Sequence, residues 1–123
     1  MTLHVSMVAA DRVVWSGKAK EVMARTVEGD LGILSGHSPL MSLLIPGVVR
    51  IDSEDGETVR AVVGDGFISV ANNEVSIISE DVSLASELDA AKVRSELEEA
   101  RAQEDEYRTL LGEAKLRLAE IGS

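Results

Sequence analysis

The sequence predicts an α+β chain in two parts: an N-terminal antiparallel β-sandwich over residues 1–84, then a C-terminal two-helix hairpin over residues 85–123. Three observations predict it. Short β-branched segments broken by turn residues recur about every 8–12 residues as far as Ser83, the spacing of sandwich strands. Hydrophobic content is 45%, but the only aromatics are Trp15, Phe67 and Tyr107, so the core is aliphatic. From Leu84 onward there is no proline, and the β-branched residues shrink to Val93, Thr109 and Ile121.

Leu3-His4-Val5-Ser6-Met7 alternates, with Leu3, Val5 and Met7 on one face, and reads as the first strand. Asp11-Arg12 marks a turn, Val13-Val14-Trp15 resumes β character, and Gly17 is read as a bulge or bend. Lys18 to Val27 is extended but poorly alternating. Between Glu28 and Leu40, three glycines and a proline are interleaved with aliphatic side chains. That mixture predicts a packed corner with Leu31, Ile33, Leu34 and Leu40 tucked inward, since glycine reaches positive φ cheaply and Pro39 extends Ser38. Leu40 to Leu44 is nearly all apolar, and Pro46-Gly47 then turns the chain into a strand at Val48–Ile51. Asp55-Gly56 signals a hairpin into Thr58–Val63, Asp65-Gly66 separates that strand from Phe67–Val70, and Asn72-Asn73 turns into Val75–Ile78. About eight or more strands follow from these signals.

In the tail, Ser86 is the expected N-cap, with Asp89 at the third helical position. Leu88, Ala91, Leu97 and Ala100 form one apolar stripe; Leu110, Leu111, Ala114, Leu118 and Ile121 form another. Gln103-Glu104-Asp105-Glu106 lies between them and holds no apolar residue, which predicts the turn. A second registration also fits: Val93, Leu97, Ala100, Glu104, Tyr107, Leu111, Ala114, Leu118 and Ile121 make a heptad seam through that turn. Gly112 costs such a helix only about 1 kcal/mol. Two short helices and one long helix are both allowed, and a tail with two arrangements has the makings of a switch.

Several functions are excluded. The net charge of −10 is spread over the chain, residues 1–85 carrying 6 Lys/Arg against 12 Asp/Glu and residues 86–123 carrying 6 against 10. Phosphate backbones and anionic lipid repel such a surface, so neither nucleic acid nor direct membrane binding is expected. The N-terminus resembles neither a secretion signal nor a transit peptide. Absence of cysteine removes disulfides and thiolate chemistry. His4 and His37 stand alone, no metal-ligand spacing occurs, and there is no Gly-x-Ser-x-Gly elbow or P-loop, so no enzyme activity is expected. A sugar-active jelly roll would need aromatic platforms that three aromatics do not supply.

The stretch Glu28-Gly29-x-x-Gly32-Ile33-Leu34-x-Gly36-His37-x-Pro39-Leu40 resembles the signature of the epsilon subunit family of F-type ATP synthases, called delta in mitochondria. Ser35 stands where that family usually has proline. Gly64-Asp65-Gly66-Phe67, followed by Val70, Asn72, Asn73, Val75 and Ile77, resembles a second family segment, with Asp65 replacing a glycine. Both motifs fall in the family's order, and the resemblance covers nearly the whole chain.

The resemblance implies a non-catalytic rotor component at the cytoplasmic face of a bacterial plasma membrane. It implies that the sandwich joins gamma to the c-ring, with Glu28, Gly29 and Asp30 toward the ring and Gly32, Ile33, His37, Pro39 and Leu40 in the corner near gamma. It also implies a regulatory tail, represented by Leu97, Glu104, Tyr107, Arg108, Leu111, Lys115 and Arg117, that brakes ATP hydrolysis when extended into the catalytic alpha/beta head. Some relatives bind ATP through Ile/Leu-Asp-x-x-Arg-Ala at the start of the first helix. Here Leu88 and Asp89 fit that motif, but Lys92 replaces arginine and offers a point charge, not a fork, so no cofactor is expected. The residues alone also allow a β-sandwich adaptor that homo-oligomerises through a coiled-coil tail, with Glu104 setting register.

Overall fold

The computed structural model describes residues 2–121. Nine strands precede two helices: β1 Leu3–Val8, β2 Val13–Thr26, β3 Gly29–Leu34, β4 Leu40–Leu44, β5 Gly47–Ser53, β6 Thr58–Val63, β7 Gly66–Ala71, β8 Glu74–Ser79, β9 Val82–Leu84, α1 Ala90–Ala102 and α2 Glu106–Ile121. Hydrogen bonding runs β1-β8-β7-β4-β2-β5-β6-β9, with β3 added to β2 and β1 also paired with β2. All pairings are antiparallel except that of β1 with β8.

Strand β2 is the hinge of this sandwich. Its 14 residues serve both layers, the first half pairing with β1 and the second with β3 and β5. The expected bend at Gly17 is absent. The irregularities fall instead at Val14, against β1, and at Lys20, against β5. A Cβ at Gly17 would stand 3.0 Å from the Trp15 ring, so glycine is there to receive that ring.

The turn signals become turns. Asn72 and Asn73 take φ of 52° and 63° in a two-residue link between β7 and β8, as a type I′ hairpin requires. Gly56 takes φ of 95° between β5 and β6. Asp65-Gly66, by contrast, is a crossover, because β6 does not pair with β7. A side chain on Gly66 would collide with the backbone oxygen of Ile78, so the strands close only around glycine.

Leu3, Val5, Met7, Val22, Ile33, Val49, Ile51, Ile68 and Ile77 lie in one aliphatic core. Leu31 and Leu40 pack on its margin, but Leu34 points outward, contrary to the inward corner predicted for it. Alternation explains this: β3 is one strand, so Ile33 and Leu34 must face opposite ways.

The helical stripe begins later than expected. Ser86 lies in a single 3-10 turn, Ala85–Glu87, and the N-cap of α1 is Asp89, whose carboxylate accepts from the amides of Ala91 and Lys92. Ala91 is consequently exposed, while Val93, Leu97 and Ala100 are buried. The chain reverses at Gln103–Asp105, where Glu104 adopts φ of 56°. Leu111, Ala114 and Leu118 pack beneath α1 and onto Val62, with Val48, Leu88 and Tyr107 at the margin. Of the described seam residues, Val93, Leu97, Ala100, Leu111, Ala114 and Leu118 are buried within one chain, and Glu104 is exposed at the turn.

Candidate functional site

Three surfaces carry the residues singled out above. At the tip of the β2–β3 hairpin, Gly29 takes φ of 115°, and the buried Thr26 hydroxyl donates to Gly29 O at 2.8 Å and accepts from Glu28 N at 3.2 Å. Glu28 accepts from the Ser42 hydroxyl at 3.1 Å, and Asp30 accepts from Arg25 Nε at 3.3 Å. Both acids are exposed. Pairs of this kind are worth little in water, so an incoming cation displaces them at small cost.

The corner behind this tip is mostly structural. Ile33 is fully buried, facing inward as the corner pattern predicts, so its part in the corner is in the core. A Cβ on Gly32 would come within 3.1 Å of Met23 Sδ. Half-buried His37 donates from Nδ1 to Ser38 O at 2.7 Å, and Asn73 Oδ1 accepts from Gly36 N at 2.7 Å, which pins the corner to the β7–β8 turn. Pro39 is exposed and Leu40 half-buried.

Beside the corner lies a surface that sequence reasoning missed. Met41 is 71% and Leu43 61% exposed, and Val27 and Ile78 are also in solvent. Val27, Leu43, Ile45, Phe67 and Ile78 line an open groove of about 770 Å³, together with Asp65 and Glu80, and Met41 stands beside it on the same face of β4 as Leu43. The missed signal was β4 itself: Leu40-Met41-Ser42-Leu43-Leu44 carries large apolar side chains on both faces, more than one core can absorb.

The third surface is the tail. Leu97 packs against Gly112, where a Cβ would sit 3.0 Å from Leu97 Cδ1, so that glycine sets the close approach of the helices. Arg94 pairs with Glu120 at 3.3 Å and Arg101 with Glu113 at 3.1 Å. Arg108 Nη1 donates to Gln103 Oε1 at 3.0 Å across the turn, Lys115 is half-buried, and exposed Arg117 borders a small cleft with Arg25 and Asp30. Tyr107 holds α2 to the sandwich. Its hydroxyl donates to Asp81 Oδ2 at 2.7 Å and accepts from Asp65 N at 3.2 Å. Burial first, then the bond to Asp81, pushes its phenol up to about 12. At the root of the tail, Arg12 Nη2 reaches both oxygens of Glu87 at 2.9 and 3.0 Å, and Leu84 N donates to the same carboxylate. That pair holds Glu87 below its ordinary range.

Residues 2–85 match the family model for the ATP synthase, Delta/Epsilon chain, beta-sandwich domain. The chain belongs to that family. It is 49% identical to the ATP synthase epsilon chain of Streptomyces avermitilis over 94% of this chain and 93% of that one. It is 40% identical to the epsilon chain of Corynebacterium diphtheriae, over 94% and 91%. Among solved structures, a chain of the Euglena gracilis mitochondrial ATP synthase superposes with a TM-score of 0.75 and 28% identity, covering 97% of this chain and 78% of that one. A chain of the Tetrahymena thermophila central stalk and c-ring, at 16% identity and a TM-score of 0.60, shares the fold; it covers 93% of this chain and 97% of that one.

Asp89 is engaged as N-cap, Lys92 is exposed, and Leu88 packs toward Val62. Arg108 and Lys115 border a small cleft of about 80 Å³ against Val93 and Glu96 of α1. Among the described residues, no helix is long and apolar enough to cross a membrane.

Proposed function

We infer that this chain is a non-catalytic rotor subunit of an ATP synthase: its sandwich binds gamma and meets the c-ring, and its tail restrains ATP hydrolysis. The observation that carries this reading is the open apolar groove lined by Val27, Leu43, Phe67 and Ile78, with exposed Met41 beside it, on a chain whose own helices pack against Val62 and Val48 elsewhere on the sandwich. An apolar surface of that size on a soluble subunit calls for a protein partner. Gamma fits the groove, and the acidic tip at Glu28 and Asp30 suits basic polar loops of the c-ring. The complex sits at the cytoplasmic face of a bacterial plasma membrane. Extended, the tail reaches the catalytic alpha/beta head. Beyond Glu106 it carries only Arg108, Lys115 and Arg117 against Glu113 and Glu120, so its attraction to an acidic lever on the head is weak.

The test is steady-state ATP hydrolysis by a catalytic head lacking its own epsilon subunit, titrated with the full chain or with a chain ending at Ala85. Both are expected to bind, and only the full chain is expected to slow turnover. Binding without inhibition by either removes the brake and leaves a coupling clamp. Failure of both to bind overturns the rotor assignment.

A further inference from the structure

The tail meets the sandwich through α2, and its apolar contact there is small: Leu111, Ala114 and Leu118 share Val62, with Val48 and Leu88 at the edge. At the start of α2, just past the reversal, the contact changes character. Gly64 has no side chain, and a Cβ there would collide with the Tyr107 hydroxyl. Glycine at 64 therefore leaves a notch, and one oxygen fills it. The notch is firmly built. Gly64 N donates to Asp81 O at 2.9 Å, and the buried Ser79 hydroxyl lies 2.9 Å from Asp65 O and 3.1 Å from Asp81 O while accepting from Asp81 N. Two loops are thus stitched together before Tyr107 arrives, and they offer it an acceptor on Asp81 and a donor on Asp65.

Tyr107 also belongs to the heptad seam of Val93, Leu97, Ala100, Glu104, Leu111, Ala114 and Leu118. Leu111, Ala114 and Leu118 give up their contact with Val62 when the tail leaves, whereas Val93, Leu97 and Ala100 lie on α1. Among these described seam residues, Tyr107 is the one that trades polar partners on the sandwich for solvent. We propose that Tyr107 is the latch of the tail: its hydroxyl, seated in the Gly64 notch between Asp81 and the Asp65 amide, holds the hairpin on the sandwich, and the tail leaves when that seat empties. This deepens the rotor reading by naming what regulates the tail. The latch itself is a property of the free chain, so it stands or falls separately from partner binding.

Because the chain has no cysteine, spin labels can be placed on Glu57→Cys in the β5–β6 hairpin and Arg117→Cys on α2, both exposed. Pulsed dipolar spectroscopy of the full chain then reports docked and released tails as separate distance populations. Tyr107→Phe keeps the ring and deletes only the hydroxyl. It is expected to raise the released-to-docked ratio about tenfold, the scale of one hydrogen bond to a charged group. Gly64→Ala, whose φ is ordinary, is expected to act the same way by filling the notch. The double variant is expected to fall well short of the product of the two, since both remove one interaction. An unchanged distribution in Tyr107→Phe, or multiplicative effects in the double variant, would overturn the latch.

Discussion

Replacing Ile33 and replacing Met41 with Leu43 are expected to have opposite consequences, although all three belong to one short stretch of sequence. Ile33 is fully buried in the sandwich core. Ile33→Ala removes three carbons, about 2.5 kcal/mol at ~0.8 kcal/mol per buried methylene, and the cavity left behind brings the cost to about 3 kcal/mol. For a domain this small that is a large share of total stability. Met41 and Leu43 are mostly in solvent, so Met41→Asp with Leu43→Asp costs the free chain at most about 1 kcal/mol. Gamma seated there as proposed would bury both new carboxylates without partners, and affinity is expected to fall at least about a hundredfold. Urea unfolding followed by circular dichroism measures the first quantity, and titration of labelled chain onto gamma measures the second. The Ile33 variant should lose stability while its folded fraction binds normally; the double aspartate should keep stability and lose binding. An Ile33→Ala chain as stable as the parent, or a double aspartate that binds as well as the parent, would refute the division between core and groove.

Other expectations concern the tail. Glu104→Gly relieves a left-handed non-glycine residue, at about 1 kcal/mol, and disfavours a straight helix by about 1 kcal/mol more. Both effects favour the hairpin, together about thirtyfold, and inhibition of hydrolysis should weaken accordingly. Tyr107 is held at about 12 against an ordinary 10.0, so the docked tail is undisturbed below pH 10 and loosens as pH rises toward 12; dipolar distances across that window check it. The Arg12 pair lowers Glu87 from an ordinary 4.5, so its contribution is present above pH 4.5 and fades as pH falls further. Glu87→Gln should flatten that part of the pH dependence of thermal unfolding, and a parent-like profile would count against the pair.

Much of the fold was legible because its signals are local. Asn72-Asn73 and Asp55-Gly56 demand particular backbone conformations, and Leu3, Val5 and Met7 declare a buried face by alternation alone. What could not be read depends on distant parts of the chain. Leu34 was assigned inward because hydrophobicity does not say which face of β3 is covered. Leu40 to Leu44 read simply as nearly all apolar, although a strand apolar on both faces already pointed to a second surface at Met41 and Leu43. The reversal was legible in the polar stretch Gln103–Glu106, but glutamate has no special liking for left-handed backbone, so nothing marked Glu104 as the residue with positive φ. Ser86 reads as a fair cap, but it lies inside the 3-10 turn that follows β9, leaving the role to Asp89. The notch at Gly64 exists only because residues 43 positions apart meet, and no spacing rule reports that.

The reversal at Glu104 also makes the tail a folded measuring rod. At 1.5 Å per residue, α2 sets the hairpin's length at about 24 Å, whereas one continuous helix from Ala90 to Ile121 would extend about 48 Å. Changing a few torsions near one residue therefore doubles the distance at which this subunit can touch a neighbour. Any residue inserted into or removed from α2 would rescale that span and rotate the tip by about 100°, with no change to the sandwich.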